Sequence, residues 1–212
     1  MNWLQKVAAF LGTPRLTPGR YTPQFSVHDE TSLTDIYRSR DFPWVFLGSA
    51  DLDDLVTVER ITGKPICFRF DLTDKDTSKL PAPSVKVPFH EPKVWSNDFY
   101  NQTQQLFNQT ADRLVSVIRA RRCPIYVHCS GGINRSVSIL AAALTKLTNR
   151  SLNDILREMK SYRGVISPDD PYYLLALEYS PNDSVYDKQL IHRELETPDD
   201  ETQSAQVTPQ EV

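Results

Sequence analysis

The residues that decide the fold of this 212-residue chain are Tyr126-Val127-His128-Cys129-Ser130-Gly131-Gly132-Ile133-Asn134-Arg135-Ser136. The first of them end an apolar run, and the last begin a helical pattern of apolar residues. This order predicts a buried strand, a tight loop and the N-terminus of a helix. The paired glycines stand out because the chain has only 7 glycines, against about 15 expected at average usage.

A loop between a strand and a helix N-terminus is suited to bind an anion, because its backbone N–H groups converge at the positive end of the helix dipole. Gly131 and Gly132 let such a loop curl closely around a ligand. Arg135 can hold two phosphoryl oxygens through its planar guanidinium. Cys129 lies in the same positive field, which predicts a thiol pKa below the free value of ~8.5 and a thiolate at neutral pH. A thiolate beneath a bound phosphate is positioned for in-line attack on phosphorus.

Short apolar runs elsewhere in the chain predict further buried strands, at residues 44–49, 65–72, 85–90 and 123–129. Helical patterns cover about residues 99–121 and begin again near Arg135, after a capping box at Ser151, and after Ser167, which we expect to cap the last helix. Strands followed by helices predict an α/β fold with a central, mostly parallel sheet of about four to five strands flanked by helices.

Composition divides the chain into three parts. Residues 1–25 combine a short apolar helix with a Pro-rich strap, which either packs on the domain or contacts a partner or a membrane surface. Residues 26–181 form the α/β domain. Residues 182–212 are acidic and poor in apolar residues, so we expect a disordered tail that is either inert or regulatory.

Charge and composition exclude several classes of protein. The net charge is −3, but residues 181–212 carry −6, so the rest of the chain carries +3. A mildly basic body suits a phosphate ester and is too weakly charged for general nucleic-acid binding. No apolar run approaches the ~18 residues of a membrane span, and the N-terminus lacks a signal-peptide pattern.

The three cysteines argue against a disulfide framework and for a reducing compartment, so we expect an intracellular protein, cytoplasmic or nuclear. Cys67 and Cys123 are interpreted as small core residues. The alternative is that either one forms a protective disulfide with an oxidised Cys129.

The motif at residues 128–136, HCSGGINRS, resembles the signature loop of the cysteine-dependent protein tyrosine phosphatases. The short domain is similar to their dual-specificity branch, which removes phosphate from Tyr and from Ser/Thr. Further similarity lies in residues 46–50, 111–114 and 163–168, so the resemblance covers roughly residues 40–180. It implies a tyrosine phosphatase-like fold, phosphorylated proteins as substrates, a phospho-cysteine intermediate, and neither cofactor nor metal.

The resemblance implies a role for each residue of the motif. Cys129 is similar to the nucleophile and Arg135 to the phosphate clamp. Ser136 would help the thiolate leave, and His128 would support the loop and keep Cys129 acidic. The phosphate would be held by Ser130, Gly131, Gly132, Ile133, Asn134 and Arg135, with Asn134 bracing the loop or lying at its rim.

The leaving oxygen needs a proton from a nearby carboxyl group. Asp98 lies 31 residues before Cys129, close to the spacing that the family uses, and is the favoured general acid. Glu91 follows the strand at 85–90 and is the alternative; a third possibility is that no general acid is used. Asp71, Asp74 and Asp76 lack a partnering His cluster and are not expected to bind a metal.

The sequence leaves two other functions open. An RNA 5′-triphosphatase of the same fold is the enzymatic alternative, although the weak basic excess disfavours it. A non-catalytic phosphate-binding module is the other alternative. The loop has no lysine to hold additional phosphates, which argues against an inositol-phosphate substrate.

Overall fold

The computed structural model of the chain describes residues 36–90 and 96–183. The chain divides into two units, residues 1–33 and 34–212, and every described residue belongs to the second. The predicted N-terminal helix and strap, Glu91 and residues 184–212 of the predicted tail lie outside the described residues. Among the described helices, none is both long enough and apolar enough to cross a bilayer.

The described strands and helices follow the predicted pattern in part: the strand Tyr37–Arg38 and the helix Leu52–Thr62 were not predicted, and the run predicted at 85–90 forms a strand at Ser84–Lys86. The elements are β1 (Tyr37–Arg38), β2 (Val45–Gly48), α1 (Leu52–Thr62), β3 (Phe68–Asp71), β4 (Ser84–Lys86), α2 (Asn97–Ala120), β5 (Ile125–His128), α3 (Arg135–Thr148), α4 (Leu152–Tyr162) and α5 (Asp170–Tyr179). The strands form one five-stranded sheet in the order β1-β2-β5-β3-β4. Only the β1–β2 pair is antiparallel. The predicted α/β fold with a mostly parallel sheet is confirmed.

The central strand, β5, carries the start of the motif between two parallel neighbours. Its last residue, His128, pairs in register with Gly48 of β2 and with Asp71 of β3. The three strands therefore end at the same edge of the sheet, where ligands bind in open α/β folds. The segments that follow them meet at this edge, as the hydrogen bond from the Ala50 N–H to the Ser130 carbonyl (3.1 Å) shows.

The central strands β2, β3 and β5 are buried along their whole length. Since successive side chains of a strand point to opposite sides, both faces of this part of the sheet are covered. On one face, Phe68 and Phe70 join a large apolar core with residues of α2 and α3. On the other face, Tyr126 and Phe46 pack with Leu55 of α1 in a smaller core. Arg69 and Asp71 alternate with the two phenylalanines of β3 and are buried as well.

The helix caps agree with the predictions at α4 and differ at α5. The side chain of Ser151 accepts a hydrogen bond from the Asp154 N–H, as predicted. The prediction that Ser167 caps the last helix was wrong. Asp169 is the cap and accepts from the Tyr172 N–H, whereas the Ser167 N–H donates to the Ile133 carbonyl at 3.2 Å. Ser167 therefore serves the loop of the motif rather than the helix.

Cys67 and Cys123 form a disulfide, with 6.1 Å between their Cα atoms, so the interpretation as separate core residues was wrong. The reason is the register of the sheet. Phe68 pairs with Ile125, and the residues just before these two strands therefore lie side by side. This is the opposite end of β5 from Cys129, which argues against a protective disulfide with Cys129. The prediction of a reducing compartment loses the support it drew from unpaired cysteines.

The boundary of the domain lies slightly beyond the predicted residue 181. The Asn182 side-chain amide donates to the carbonyls of Thr145 and Arg150, at 2.7 and 3.1 Å. The carboxylate of Asp183 accepts from the Leu152 N–H, the first of α4, at 3.1 Å. Residues 182 and 183 thus belong to the packed domain rather than to the tail.

Candidate active site

The loop of residues 129–134 curls between β5 and α3 around its second glycine. Gly132 has a φ of +64°, in the left-handed region that glycine adopts without strain. A Cβ atom at Gly132 would also collide with the backbone carbonyl of Gly48. Glycine is therefore required here both by backbone conformation and by the close approach of the β2 end.

Arg163, which the sequence analysis left without a role, holds the outside of this loop. Its guanidinium is buried and donates from Nε to the Gly132 carbonyl at 3.1 Å and from Nη2 to the Gly131 carbonyl at 2.8 Å. Because a peptide's carbonyl and N–H point in opposite directions, turning these carbonyls outward favours N–H groups that face inward. The sequence signal was present only as an arginine in the family-like segment 163–168.

Cys129 is buried at the base of the loop, and its Sγ accepts a hydrogen bond from the Ser136 hydroxyl at 3.3 Å. Burial alone would raise the pKa of this thiol. Hydrogen bonds from the Ser136 hydroxyl and N–H, the charge of Arg135 and the Gly132 N–H outweigh burial and bring the pKa below its usual value. The direction agrees with the prediction of an acidic cysteine.

Arg135 is the first residue of α3. Its buried guanidinium contacts the segments after β3 and β4 as well as Ser130 of the motif loop. Nη1 donates to the Phe89 carbonyl at 2.7 Å, and Nη2 donates to the Ser130 hydroxyl at 3.4 Å. The Asp74 carboxylate lies 3.9 Å from Nη1. The neighbouring Thr73 hydroxyl shares a hydrogen bond of 3.0 Å with that of Ser130. The loop after β3 therefore supports the clamp.

His128 is fully buried at the end of β5. Burial, chiefly, lowers its pKa to about 4, so the imidazole is neutral near pH 7. Its Nδ1 lies 3.3 Å from the Cys129 carbonyl oxygen, and its Nε2 lies 3.5 Å from Nη1 of Arg69. The ring is thus linked to the backbone at Cys129, in line with the predicted support of the loop.

Ile133 and Asn134 occupy different positions in the loop. The side chain of Ile133 is 39% exposed and forms part of the rim. Asn134 precedes α3 without capping it, and its Oδ1 accepts from the Asp169 N–H at 3.1 Å. Asn134 therefore braces the loop against the start of α5, which was one of the two predicted positions for it.

The candidates for the general acid lie on different segments. Asp98 lies in the first turn of α2 and is exposed. Glu91 lies outside the described residues, but the two residues before it are described. Phe89 contacts Arg135 through its carbonyl, and the His90 carbonyl accepts from the Tyr172 hydroxyl at 3.2 Å.

A pocket of about 400 Å³ opens beside the loop. It is lined by Ser49, Ala50, Asp51, Lys75 and Ser130. No cluster of potential metal ligands occurs among the residues that the structure describes, and Asp74 faces Arg135 rather than other carboxylates.

Residues 53–181 match the family model of the dual specificity phosphatase catalytic domain. The chain belongs to the dual-specificity phosphatase family. Among curated relatives, human dual specificity protein phosphatase 7 is 34% identical over 73 residues, which are 34% of this chain and 17% of that protein. Human dual specificity protein phosphatase 8 is 26% identical over 141 residues, which are 66% of this chain and 22% of that protein. The aligned part of the chain thus spans about a fifth of the length of these relatives.

Solved structures of dual-specificity phosphatases share the fold. DUSP15 aligns with a TM-score of 0.52 and 20% identity, over 74% of this chain and 94% of its own. A mouse putative dual specificity phosphatase, solved with zinc tungstate, aligns with a TM-score of 0.53 and 17% identity, over 80% and 97%. At these identities the likeness concerns the fold alone.

Proposed function

We propose that this chain hydrolyses phosphotyrosine and phosphoserine or phosphothreonine in proteins through a phospho-cysteine intermediate. The observation that carries the proposal is the buried thiol of Cys129, which accepts a hydrogen bond from Ser136 beneath a loop that ends in the guanidinium of Arg135. Membership of the dual-specificity phosphatase family supports protein substrates.

In the first step, the N–H groups of residues 130–135 and the guanidinium of Arg135 hold the phosphoryl oxygens. The Cys129 thiolate attacks phosphorus, so the S–P bond forms as the P–O ester bond breaks. The general acid gives its proton to the leaving oxygen. Because Nη1 of Arg135 donates to the Phe89 carbonyl, an entering phosphate competes with that carbonyl for Nη1.

In the second step, the carboxylate left on the general acid takes a proton from water, and that water attacks the phospho-cysteine. Inorganic phosphate forms as the S–P bond breaks and the electron pair returns to sulfur. The Ser136 hydroxyl, already directed at Sγ, stabilises the departing thiolate. No metal or cofactor enters either step.

The proposed general acid is Asp98 or Glu91. The contacts of Phe89 and His90 favour Glu91, because those two residues connect the segment just before it to Arg135 and to α5. Asp98→Asn and Glu91→Gln distinguish the two in pH–rate profiles with aryl phosphates that have poor leaving groups. The variant that removes the acid loses the basic limb of the profile. If both variants keep that limb, neither residue is the acid.

The substrate class is tested by comparing a doubly phosphorylated peptide with an RNA that carries a 5′-triphosphate. We expect the peptide to be the better substrate and Cys129→Ser to abolish its hydrolysis. Preference for the RNA would establish the alternative enzyme of the same fold. Absence of turnover on peptide, RNA and aryl phosphate, with phosphate binding retained, would establish a binding module.

A further inference from the structure

Arg69 is a buried arginine in the middle of a core strand, a position where apolar residues are the rule. It is 2% exposed, and burial lowers its pKa from the usual value. Its Nε has no hydrogen-bond partner among the residues that the structure describes. Burying a guanidinium with one N–H unpaired costs free energy. A contact that affects the active site would account for an arginine at this position.

The contacts of Arg69 lead to the nucleophile through His128. Nη2 donates to the Thr77 carbonyl at 3.3 Å, and Nη1 lies 3.5 Å from Nε2 of His128. An arginine only donates hydrogen bonds. If Nη1 donates to Nε2, this nitrogen must accept, and the proton of the neutral imidazole must sit on Nδ1. Nδ1 then donates to the Cys129 carbonyl, 3.3 Å away.

We propose that Arg69 is a positioning residue that holds His128 in the Nδ1–H tautomer, so that the ring donates to the Cys129 carbonyl and fixes the first peptide of the phosphate loop. The proposal rests on the proposed function of Cys129 as the nucleophile. Arg69 itself does not touch the phosphate. Its effect on the thiol passes through the orientation of the loop and through its positive charge.

Charged and titratable groups surround His128 from several elements. Asp71 of β3 lies opposite it in register, is fully buried, and accepts from the Thr73 N–H and the Thr77 hydroxyl. Lys86 of β4 lies 3.9 Å from the Asp71 carboxylate. The Asp71 charge raises the pKa of His128, whereas Arg69 and Lys86 lower it.

Two further groups flank the ring and the thiol. Tyr126 of β5 stacks on the His128 ring, with 5.5 Å between centroids, and its hydroxyl also reaches Asp54 of α1 at 3.3 Å. Arg135 of α3 acts on Cys129 directly. Without the positive charge of Arg69, the negative charge of Asp71 would act on the His128 ring with less opposition. Without the donor at Nε2, the proton of the neutral imidazole could sit on either Nδ1 or Nε2.

The tautomer of His128 is the direct readout, and it does not depend on phosphatase activity. Long-range ¹H–¹⁵N spectra of ¹⁵N-histidine-labelled full chain distinguish protonated from unprotonated ring nitrogens. His128→Gln assigns the signals among the 4 histidines of the chain. We expect Nδ1–H in the wild type and a mixture of tautomers in Arg69→Met. An Nε2–H tautomer in the wild type, or an unchanged tautomer in Arg69→Met, overturns the proposal.

The pH dependence of Cys129 alkylation by iodoacetamide gives the second readout. Losing the Arg69 charge and the fixed ring should raise the midpoint by about half a pH unit in Arg69→Met. Arg69→Lys, which keeps a donor and the charge, should restore most of the shift. Arg38→Met is the matched control, because Arg38 donates to the Pro43 carbonyl and lies over the Phe46 ring, 5.7 Å from its centroid.

These readouts separate the proposal from the proposed function. If Arg69→Met only lowers the melting temperature and leaves the tautomer and the alkylation midpoint unchanged, Arg69 is structural and the proposal fails. If the tautomer and midpoint shift as expected but the wild type hydrolyses no phosphate ester, the proposed function fails and the positioning role stands.

Discussion

The central strands β2, β3 and β5 are buried on both faces, yet the two faces differ in chemistry. Towards α2 and α3, Phe70 and Val127 pack among apolar side chains. On the opposite face, a smaller apolar cluster lies beside Arg69, Asp71 and His128, which are held by hydrogen bonds and charge. Apolar burial stabilises the fold without direction, whereas buried polar groups are costly unless paired. We infer that the apolar face provides stability and the polar face sets the chemistry of Cys129.

The largest expected effect is on the apolar face, in Phe70→Ala. Phe70 is 1% exposed in the main core, so the truncation should lower the free energy of unfolding by about 3–5 kcal/mol. Denaturant titration measures this loss. The kcat/KM of the fraction that remains folded should be nearly unchanged, and a large fall in that value would contradict the separation of the two faces.

On the polar face, His128 should make stability depend on pH. Its folded pKa of about 4 lies below the ordinary 6.5, so the unfolded chain binds a proton more readily. The contribution of His128 to the free energy of unfolding is fully present above pH 6.5. It is lost as the pH drops towards 4, by about 3 kcal/mol in total. Unfolding measured across this range should show a shallower fall in His128→Gln. Equal slopes for the two proteins would contradict the depressed pKa.

Arg163 tests whether support from outside the loop matters to catalysis. We expect Arg163→Met, which removes the hydrogen bonds to the Gly131 and Gly132 carbonyls, to lower kcat/KM by about 10–100-fold, the equivalent of one charged hydrogen bond of roughly 1.5–3 kcal/mol. The contacts of the loop with Ser167 and Asp169 retain the rest of its support. Arg157→Met is the control, since Arg157 is exposed on α4 and, among the residues that the structure describes, is paired with Asp154. Equal activity of the two variants would show that the loop keeps its shape without Arg163.

A smaller effect than that of Arg163→Met is expected at Ser136. Its hydrogen bond to Sγ favours the thiolate, so Ser136→Ala should raise the pKa of Cys129. Iodoacetamide alkylation as a function of pH should show a midpoint higher by about one unit. An unchanged midpoint would mean that the remaining N–H groups and Arg135 suffice to hold the thiolate.

Much of this fold is readable from the sequence because its central strands are buried on both faces. Such strands appear as uninterrupted apolar runs, and β2, β3 and β5 all lie within predicted runs. β1 was not predicted, since Tyr37–Arg38 is too short to show a period. The disulfide was missed because Cys67 and Cys123 meet only through the β3–β5 register, 56 residues apart in the chain.

The part of the site whose residues lie close together in the sequence could be predicted. The loop from Cys129 to Arg135 contains its glycines and its thiol in one short stretch, and a strand–loop–helix pattern specifies their geometry. Arg69 and Arg163 act over 59 and 31 residues of sequence, on His128 and Gly132. No sequence period connects such pairs, so tertiary structure was needed to find them.

The central claim, that Cys129 is a nucleophile, is tested most directly by trapping the intermediate. The wild-type chain is mixed with an aryl phosphate, quenched within one turnover and analysed by mass spectrometry. We predict one phosphoryl group on Cys129 that appears before inorganic phosphate accumulates, and neither adduct nor turnover in Cys129→Ser. Turnover without a phosphorylated Cys129, or turnover that persists in Cys129→Ser, would contradict the account.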